Sequence, residues 1–334
     1  MFPKKCFQFC LIFLIFTLPI LFGPYESSAV EKKTLTWGTV PSSSGGFSYF
    51  VVTAKILNEK IPEINITVRS TGASVHNARL LEKNEVDIGA VDTRTAWEVI
   101  QGKGTFEGKP FPDLRLLYII TLTNPLQFVV SEKSGVKDIY GLEGKPFIPG
   151  MIGSSAEQIT MDICRILGIR PKLRHSSYAD ALEMMRNEMV VGFSKLSCPD
   201  SSILEIASVM KIRILSFSDD DIEKIIKNSY GLKKIVIPLG MYPGVGEFKT
   251  VENQFCDYVR KDFPAEVAYK IVKTIWQHRA EIKRMWPFFV GDRFTEVALE
   301  TKIGGYLHPG AVKFYRELGM TVPKNLIPPE MGEK

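Results

Sequence analysis

Hydrophobic positions along this chain recur with two periods that take turns. Residues 64–68, Ile-Asn-Ile-Thr-Val, alternate apolar and polar as a half-buried strand does, and Val75, Ala78 and Leu81 then fall at helical spacing. Three times before residue 100 the order is strand, loop of small residues, helix. Strands are predicted over 35–40, 64–68 and 86–91, and the loops that follow them are 42–46, 70–74 and 92–93. Alternation of this kind predicts a mainly parallel sheet flanked by helices. Residues 103–113 form a Gly/Pro-rich excursion, after which 114–121 and 128–131 read as apolar strands. The pattern then restarts with a strand at 145–148, a loop at 149–155 and a helix over 156–167 stopped by Gly168. Strands near 173, at 189–193 and at 212–217, with helices at 178–186 and 201–208, complete a second set, and 235–237 returns the chain. The remainder reads as mostly helical, with Val267, Ile271 and Ile275 on one wide apolar stripe.

The first 29 residues have a different character. Lys4 and Lys5 precede an apolar run from Phe9 to Phe22, broken only by Thr17 and Pro19, and small residues stand at Ser27 and Ala29. This is the layout of an export signal, with cleavage expected after Ala29; an uncleaved anchor is the competing reading. The run is shorter than the roughly 20 apolar residues that span a bilayer. Removing these 29 of the 334 residues leaves 305, more than one core usually serves, so two lobes are expected: 30–127 with 238–334, and 128–237. The net charge of +5 falls to +4 with the loss of two lysines and one glutamate. No Lys/Arg block of the kind that follows phosphates is present, so nucleic acid is not an expected partner. Cys164, Cys198 and Cys256 are far apart and odd in number, which is neither a disulfide framework nor a metal motif. A monomer without cofactor is expected.

Four loops carry the candidate chemistry: 42–46, 70–74, 92–93 and 153–155. In an open parallel sheet they sit at the carboxyl ends of strands, where ligands bind. Each also opens a helix, whose first turn has unpaired N–H groups suited to an anion. Gly45, Gly46 and Gly72 admit a ligand close to the backbone, and Ser44, Ser70, Thr71, Ser74, Ser154 and Ser155 add hydroxyls. The same serines and threonines also suit helix capping, and either role fits any single loop. Asp92 and Thr93 form the third loop. Arg94 beside them suits a ligand carboxylate or a neighbouring acid equally well. Enzyme signatures are missing: the sequence has no HExxH, no GxSxG and no Walker loop. Residues 102–108 have GxGxxxG spacing, one residue off the dinucleotide fingerprint, and Asp219-Asp220-Asp221 lacks the glycine and distal glutamate of a calcium loop. His308, before Pro309-Gly310, is expected to fix a turn.

Several segments together resemble the TAXI-type solute-binding proteins of bacterial TRAP transporters. Gly38-Thr39 and Gly45-Gly46-Phe47-Ser48-Tyr49 are similar to that family's Gly-Thr and Gly-Gly-x-x-Tyr segments. Ser70-Thr71-Gly72-Ala73-Ser74-Val75-His76-Asn77 is similar to its Ser-Thr-Gly-Gly-Ser-x-x-Asn, and 81–89 to its Leu-x-x-Gly-x-x-Asp-Leu-Ala. Tyr242-Pro243-Gly244 and His308-Pro309-Gly310-Ala311 with Tyr315-Arg316-Glu317 complete the resemblance, which spans nearly the whole chain after residue 29. It implies a two-lobed, type II periplasmic-binding-protein fold that closes on a small carboxylate or amino acid and delivers it to TRAP membrane permease subunits. A ligand-sensing protein that feeds a signalling partner is the alternative on the same fold. The resemblance adds Thr39, Tyr49, Ala73, Asn77 and Tyr242 to the candidate ligand-binding residues. The chain departs from the pattern at Ala73, a usual glycine; at Asp92, a usual amide; at Arg94, a usual acid; and at Met151-Ile152 and Val190-Val191.

Overall fold

Parallel strands on two wings meet antiparallel strands at the centre of a single sheet. The computed structural model describes residues 32–286, apart from Ser43 and Gly45, and residues 304–332; the expected export segment lies outside the described residues. The first wing holds β1 (Lys33–Gly38), β2 (Ile64–Arg69) and β3 (Ile88–Asp92), with α1 (Phe47–Lys60), α2 (Ser74–Glu82) and α3 (Thr93–Gln101) between and after them. β4 (Leu114–Ser131) then leads to the second wing: β5 (Pro146–Ile148), α4 (Ser155–Leu167), β6 (Lys172–Leu173), α5 (Tyr178–Arg186), β7 (Gly192–Leu196), α6 (Ser201–Val209), β8 (Ile212–Ile214), α7 (Asp219–Asn228) and β9 (Lys233–Ile237). β10 (Phe248–Arg260) returns, followed by α8 (Ala265–Gln277), α9 (Arg279–Met285), β11 (Tyr306–Leu307) and α10 (Pro309–Glu317).

The strand order is β2-β1-β3-β10-β4-β7-β5-β6, with β8 and β11 on β4 and β9 on β10. β1 pairs parallel with β2 and β3, and β5 with β6 and β7. The central pairs β3–β10, β10–β4 and β4–β7 are antiparallel. β3 is buried along its whole length and reads Ile-Gly-Ala-Val-Asp, because helices cover both faces of a βα sheet. Asp92 caps α3 by accepting the N–H groups of Arg94 and Thr95, and Gly102 ends that helix in the left-handed conformation. Ser154 and Gly168 do the same for α4.

Two lobes follow from how the apolar side chains cluster. Leu114–Ile120 of β4 and Cys256, Tyr258 and Val259 of β10 pack with the first wing, and the ends of both strands on the far side pack with the second. The two strands therefore cross between lobes around Asn124 and Asn253. There Asn124 Nδ2 donates to Asn253 Oδ1 at 2.8 Å, and the ladder shifts register between Asn253 and Phe255.

Three expectations change. The apolar runs 114–121 and 128–131 are one continuous strand. Residues 248–260, read as part of a helical C-terminal region, form a central strand. Tyr242, Val245, Phe248 and Val251, beyond the expected return at 237, still pack with the second lobe. Among the described residues no helix is long and apolar enough to cross a membrane.

Candidate functional site

The loops at the carboxyl ends of β1, β2, β5 and β7 enclose a cavity of about 110 Å³. Ser44 and Gly46 before α1, Gly72, Ala73 and Ser74 before α2, and Ser154 and Ser155 at the start of α4 all line it. Three helices thus open onto one space. Ser154 caps α4 by accepting the Glu157 N–H at 3.2 Å, while Glu157 Oε2 reaches back to accept the N–H of Gly153, just before the cap, at 2.7 Å. α1 and α2 have no side-chain cap, at Gly46 and at Ala73. In α1 the Phe47 and Tyr49 N–H groups turn back to the carbonyls of Ser44 and Gly46, at 3.0 and 3.2 Å, while the N-terminal end of α2 at Ser74 presents its dipole to the cavity.

Ala73 enters α2 with φ 68° and ψ −151°, a region that residues with a Cβ rarely adopt. The turn around it is tied by buried polar groups. Asn77 Nδ2 donates to the carbonyls of Thr39 and Ala90, both at 2.8 Å, and Asn77 Oδ1 lies 2.7 Å from the Thr71 hydroxyl. That hydroxyl accepts the Ala73 N–H at 3.2 Å, and the Thr39 hydroxyl donates to the Arg69 carbonyl at 3.0 Å. A Cβ on Gly38 would stand 2.8 Å from Asn77 Oδ1, so the resemblance's opening glycine makes room for this knot.

Aromatic rings wall the first lobe's side. Tyr49, Phe50, Phe255 and Trp286 line the cavity, with Tyr49 5.2 Å from Trp286 and 5.1 Å from Phe50 between ring centroids. Behind them the Tyr49 hydroxyl meets that of Tyr118 at 2.9 Å, and Asp257 accepts the Trp37 indole N–H at 2.7 Å. Burial pushes the Asp257 carboxyl up to about 7, against the lowering effect of hydrogen bonds from Tyr118 and Trp37.

The second lobe contributes Lys195 from the end of β7. Its side chain is buried, lines the cavity, and is the one charged group among the described residues that do so. Lys195 Nζ donates to Ser202 Oγ at 2.8 Å, pairs with Asp200 Oδ1 at 2.9 Å and lies 4.2 Å from the centre of the Tyr178 ring. Asp200 caps α6, and its N–H donates to the Tyr242 hydroxyl at 2.9 Å.

The remaining sequence-derived candidates stand around the cavity without lining it. Ser70 accepts the Ser42 N–H at 2.9 Å. Thr39, Thr71 and Asn77 form the knot under the β2–α2 turn. Asp92 is buried; besides capping α3 it accepts from Asn253 Nδ2 at 2.8 Å, and Thr93 beside it is buried too. Arg94 pairs with Glu98 at 2.6 Å and with Asp162 of α4, so its charge is answered within the protein. Burial raises Glu98 to about 7, opposed by Arg94 and helped by Asp92 and Asp162. Tyr242 supports Asp200. Gly45 lies outside the described residues. Lys195, Tyr178, Phe255 and Trp286 were not among the candidates; a lysine inside the buried strand Gly192–Leu196 was the available signal for the first. Among the described residues no group of three or more His, Cys, Asp or Glu is placed to hold a metal.

Known structures share the architecture. A protein of Bordetella bronchiseptica RB50 aligns at 10% identity over 87% of this chain and 99% of its own, with a TM-score of 0.55. The periplasmic binding protein BugD aligns at 11% identity over 86% of this chain and 94% of its own, with a TM-score of 0.52. At these identities the likeness is one of fold, the two-lobed arrangement of periplasmic binding proteins. Residues 38–319 match the family model described as NMT1-like. With most of its length inside that match, the chain belongs to the NMT1-like family.

Proposed function

We propose that this chain is the extracytoplasmic solute-binding receptor of an importer. It captures a small carboxylate or amino acid by closing its lobes and hands it to membrane permease subunits. The observation that carries this reading is the cavity enclosed by loops of both lobes, with only β4 and β10 among the described strands running through both cores. A cleft of this kind needs no covalent step; the closed form is favoured by ligand contacts that it alone makes. Ser44, Gly46, Tyr49, Gly72, Ala73, Ser74, Ser154 and Ser155 are the proposed contacts. Thr39, Ser70, Thr71, Asn77, Asp92, Thr93, Arg94 and Tyr242 hold the walls. The importer is of the TRAP type, a reading supported by the likeness of 70–77 and 308–311 to TAXI-type receptors. The receptor works as a monomer after removal of residues 1–29.

Native mass spectrometry of the purified chain tests this directly. A small acid carried through purification is the expected result, with a smaller radius of gyration in solution scattering when that acid is added back. A broad screen of organic and amino acids that moves neither the melting temperature nor the scattering would sink the reading.

A further inference from the structure

The cavity is selective about charge in a way that narrows its ligand. Lys195 presents an ammonium to the space, but two of its donors already go to Asp200 and Ser202. Asp200 is buried and does not itself line the cavity, so the lysine shows the cavity the positive end of an internal ion pair. That end accommodates one negative charge. A second carboxylate would be desolvated without a second cation lining the cavity among the described residues. An α-ammonium group fares worse, because no Asp or Glu lines the cavity among the described residues. The opposite wall is aromatic, formed by Tyr49, Phe50, Phe255 and Trp286, and it favours an apolar body. A volume of about 110 Å³ suits a small molecule.

We propose, on the basis of the receptor reading above, that the ligand is a monocarboxylate with a compact apolar body. Lys195 reads its carboxylate, and as the one charged group lining the cavity among the described residues it selects against dicarboxylates and α-amino acids.

Isothermal titration of the intact chain tests this with benzoate, phenylacetate and isovalerate against succinate, glutamate and phenylalanine, and with the amide of each monocarboxylate as its uncharged counterpart. At least one monocarboxylate is expected to bind about tenfold or more tighter than any of the excluded compounds. The double variant Lys195→Gln/Asp200→Asn replaces both charges with amides that still suit a hydrogen bond. It is expected to lower the acid-to-amide affinity ratio by about tenfold. An excluded compound that binds as tightly as the best monocarboxylate overturns the inference and leaves the receptor reading in place. So does a ligand found only outside the monocarboxylates, or an unchanged ratio in the double variant. No binding of any compound in a wide screen removes the receptor reading itself. Should the double variant fail to fold, the wild-type comparison decides alone.

Discussion

Arg94 on α3 and Asp162 on α4 form an ion pair that joins the two lobes beside the cavity. Thr105 Oγ1 donates to Gln158 Oε1 at 2.8 Å close by, and Trp97 of the first lobe stacks on Tyr230 of the second with centroids 4.5 Å apart. On the receptor reading proposed above, contacts between the lobes favour the arrangement described here, and so bias the equilibrium that the ligand also biases. Asp162 is partly exposed, which limits its share to about 1 kcal/mol. Asp162→Asn is therefore expected to weaken ligand affinity about fivefold and to enlarge the unliganded protein in solution scattering. Unchanged affinity and scattering would mean that the pair does not hold the lobes.

Ala73 stores strain at the cavity wall. Its φ of 68° with ψ of −151° costs an L-residue about 1–3 kcal/mol, whereas glycine adds about 0.5–1 kcal/mol of unfolded-state entropy. The first effect wins, so Ala73→Gly is expected to stabilise the protein by about 1 kcal/mol and raise the melting midpoint by about 2 °C. Calorimetry checks it. A lower midpoint would show that the Ala73 methyl, packed against the first core, contributes more than the strain removes.

The outer strands and their helices were legible because each repeats one pattern: a short apolar run, a loop of small residues, then a 3.6-residue period. The serine and glycine loops were legible for the same reason, and Ser44, Gly46, Gly72, Ala73, Ser74, Ser154 and Ser155 from them line the cavity. β10 was not. Its Glu252, Asn253, Gln254 and Asp257 interrupt the alternation of a buried strand, because this strand crosses between lobes and backs the site. Asn253 reaches Asp92 on one side and Ser155 on the other. Arg94 and Lys195 show a second limit. Both are basic residues near small-residue loops, and only tertiary packing sends one to Asp162 and the other into the cavity.

Asp257 sits where a carboxylate is poorly tolerated. Its pKa of about 7 in the fold, against an ordinary 3.8, means that the folded chain holds a proton that the unfolded chain has released. Folded protein binds more protons between those values, so this group's contribution makes stability fall as pH rises from about 4 to 7. The full effect above pH 7 is of order 4 kcal/mol. Asp257→Asn keeps an acceptor for the Trp37 indole without the charge. The variant is expected to match wild type near pH 4 and to exceed it at pH 8 by about 1–4 kcal/mol in urea unfolding. A deficit at both pH values would show that the carboxyl's hydrogen bonds outweigh its desolvation.

His308 titrates with the opposite sign. Its Nε2 lies 3.0 Å from the Phe263 carbonyl, which only accepts, so Nε2 carries the proton; Nδ1 accepts the Gly310 N–H at 3.2 Å and caps α10. Both ring nitrogens are satisfied by the neutral form. Protonating Nδ1 would turn an acceptor against a donor. Burial pushes the pKa down to about 4, with the Phe263 bond and Glu330 raising it and Arg115 adding to the depression. The unfolded chain therefore binds more protons between about pH 4 and 6.5. The stability from this histidine is complete above pH 6.5 and is lost as pH falls through 4. That loss is of order 3 kcal/mol. His308→Asn supplies an acceptor to the Gly310 N–H without titrating. It is expected to cost about 1 kcal/mol at pH 7.5 for the Phe263 bond, and less and less relative to wild type as the solution is acidified. Asp257 and Glu252, whose carboxyls burial also raises to about 7, titrate in both proteins, so the difference between the two urea-unfolding curves from pH 4.5 to 7.5 isolates His308. Parallel pH profiles would rule this histidine out as a source of acid sensitivity.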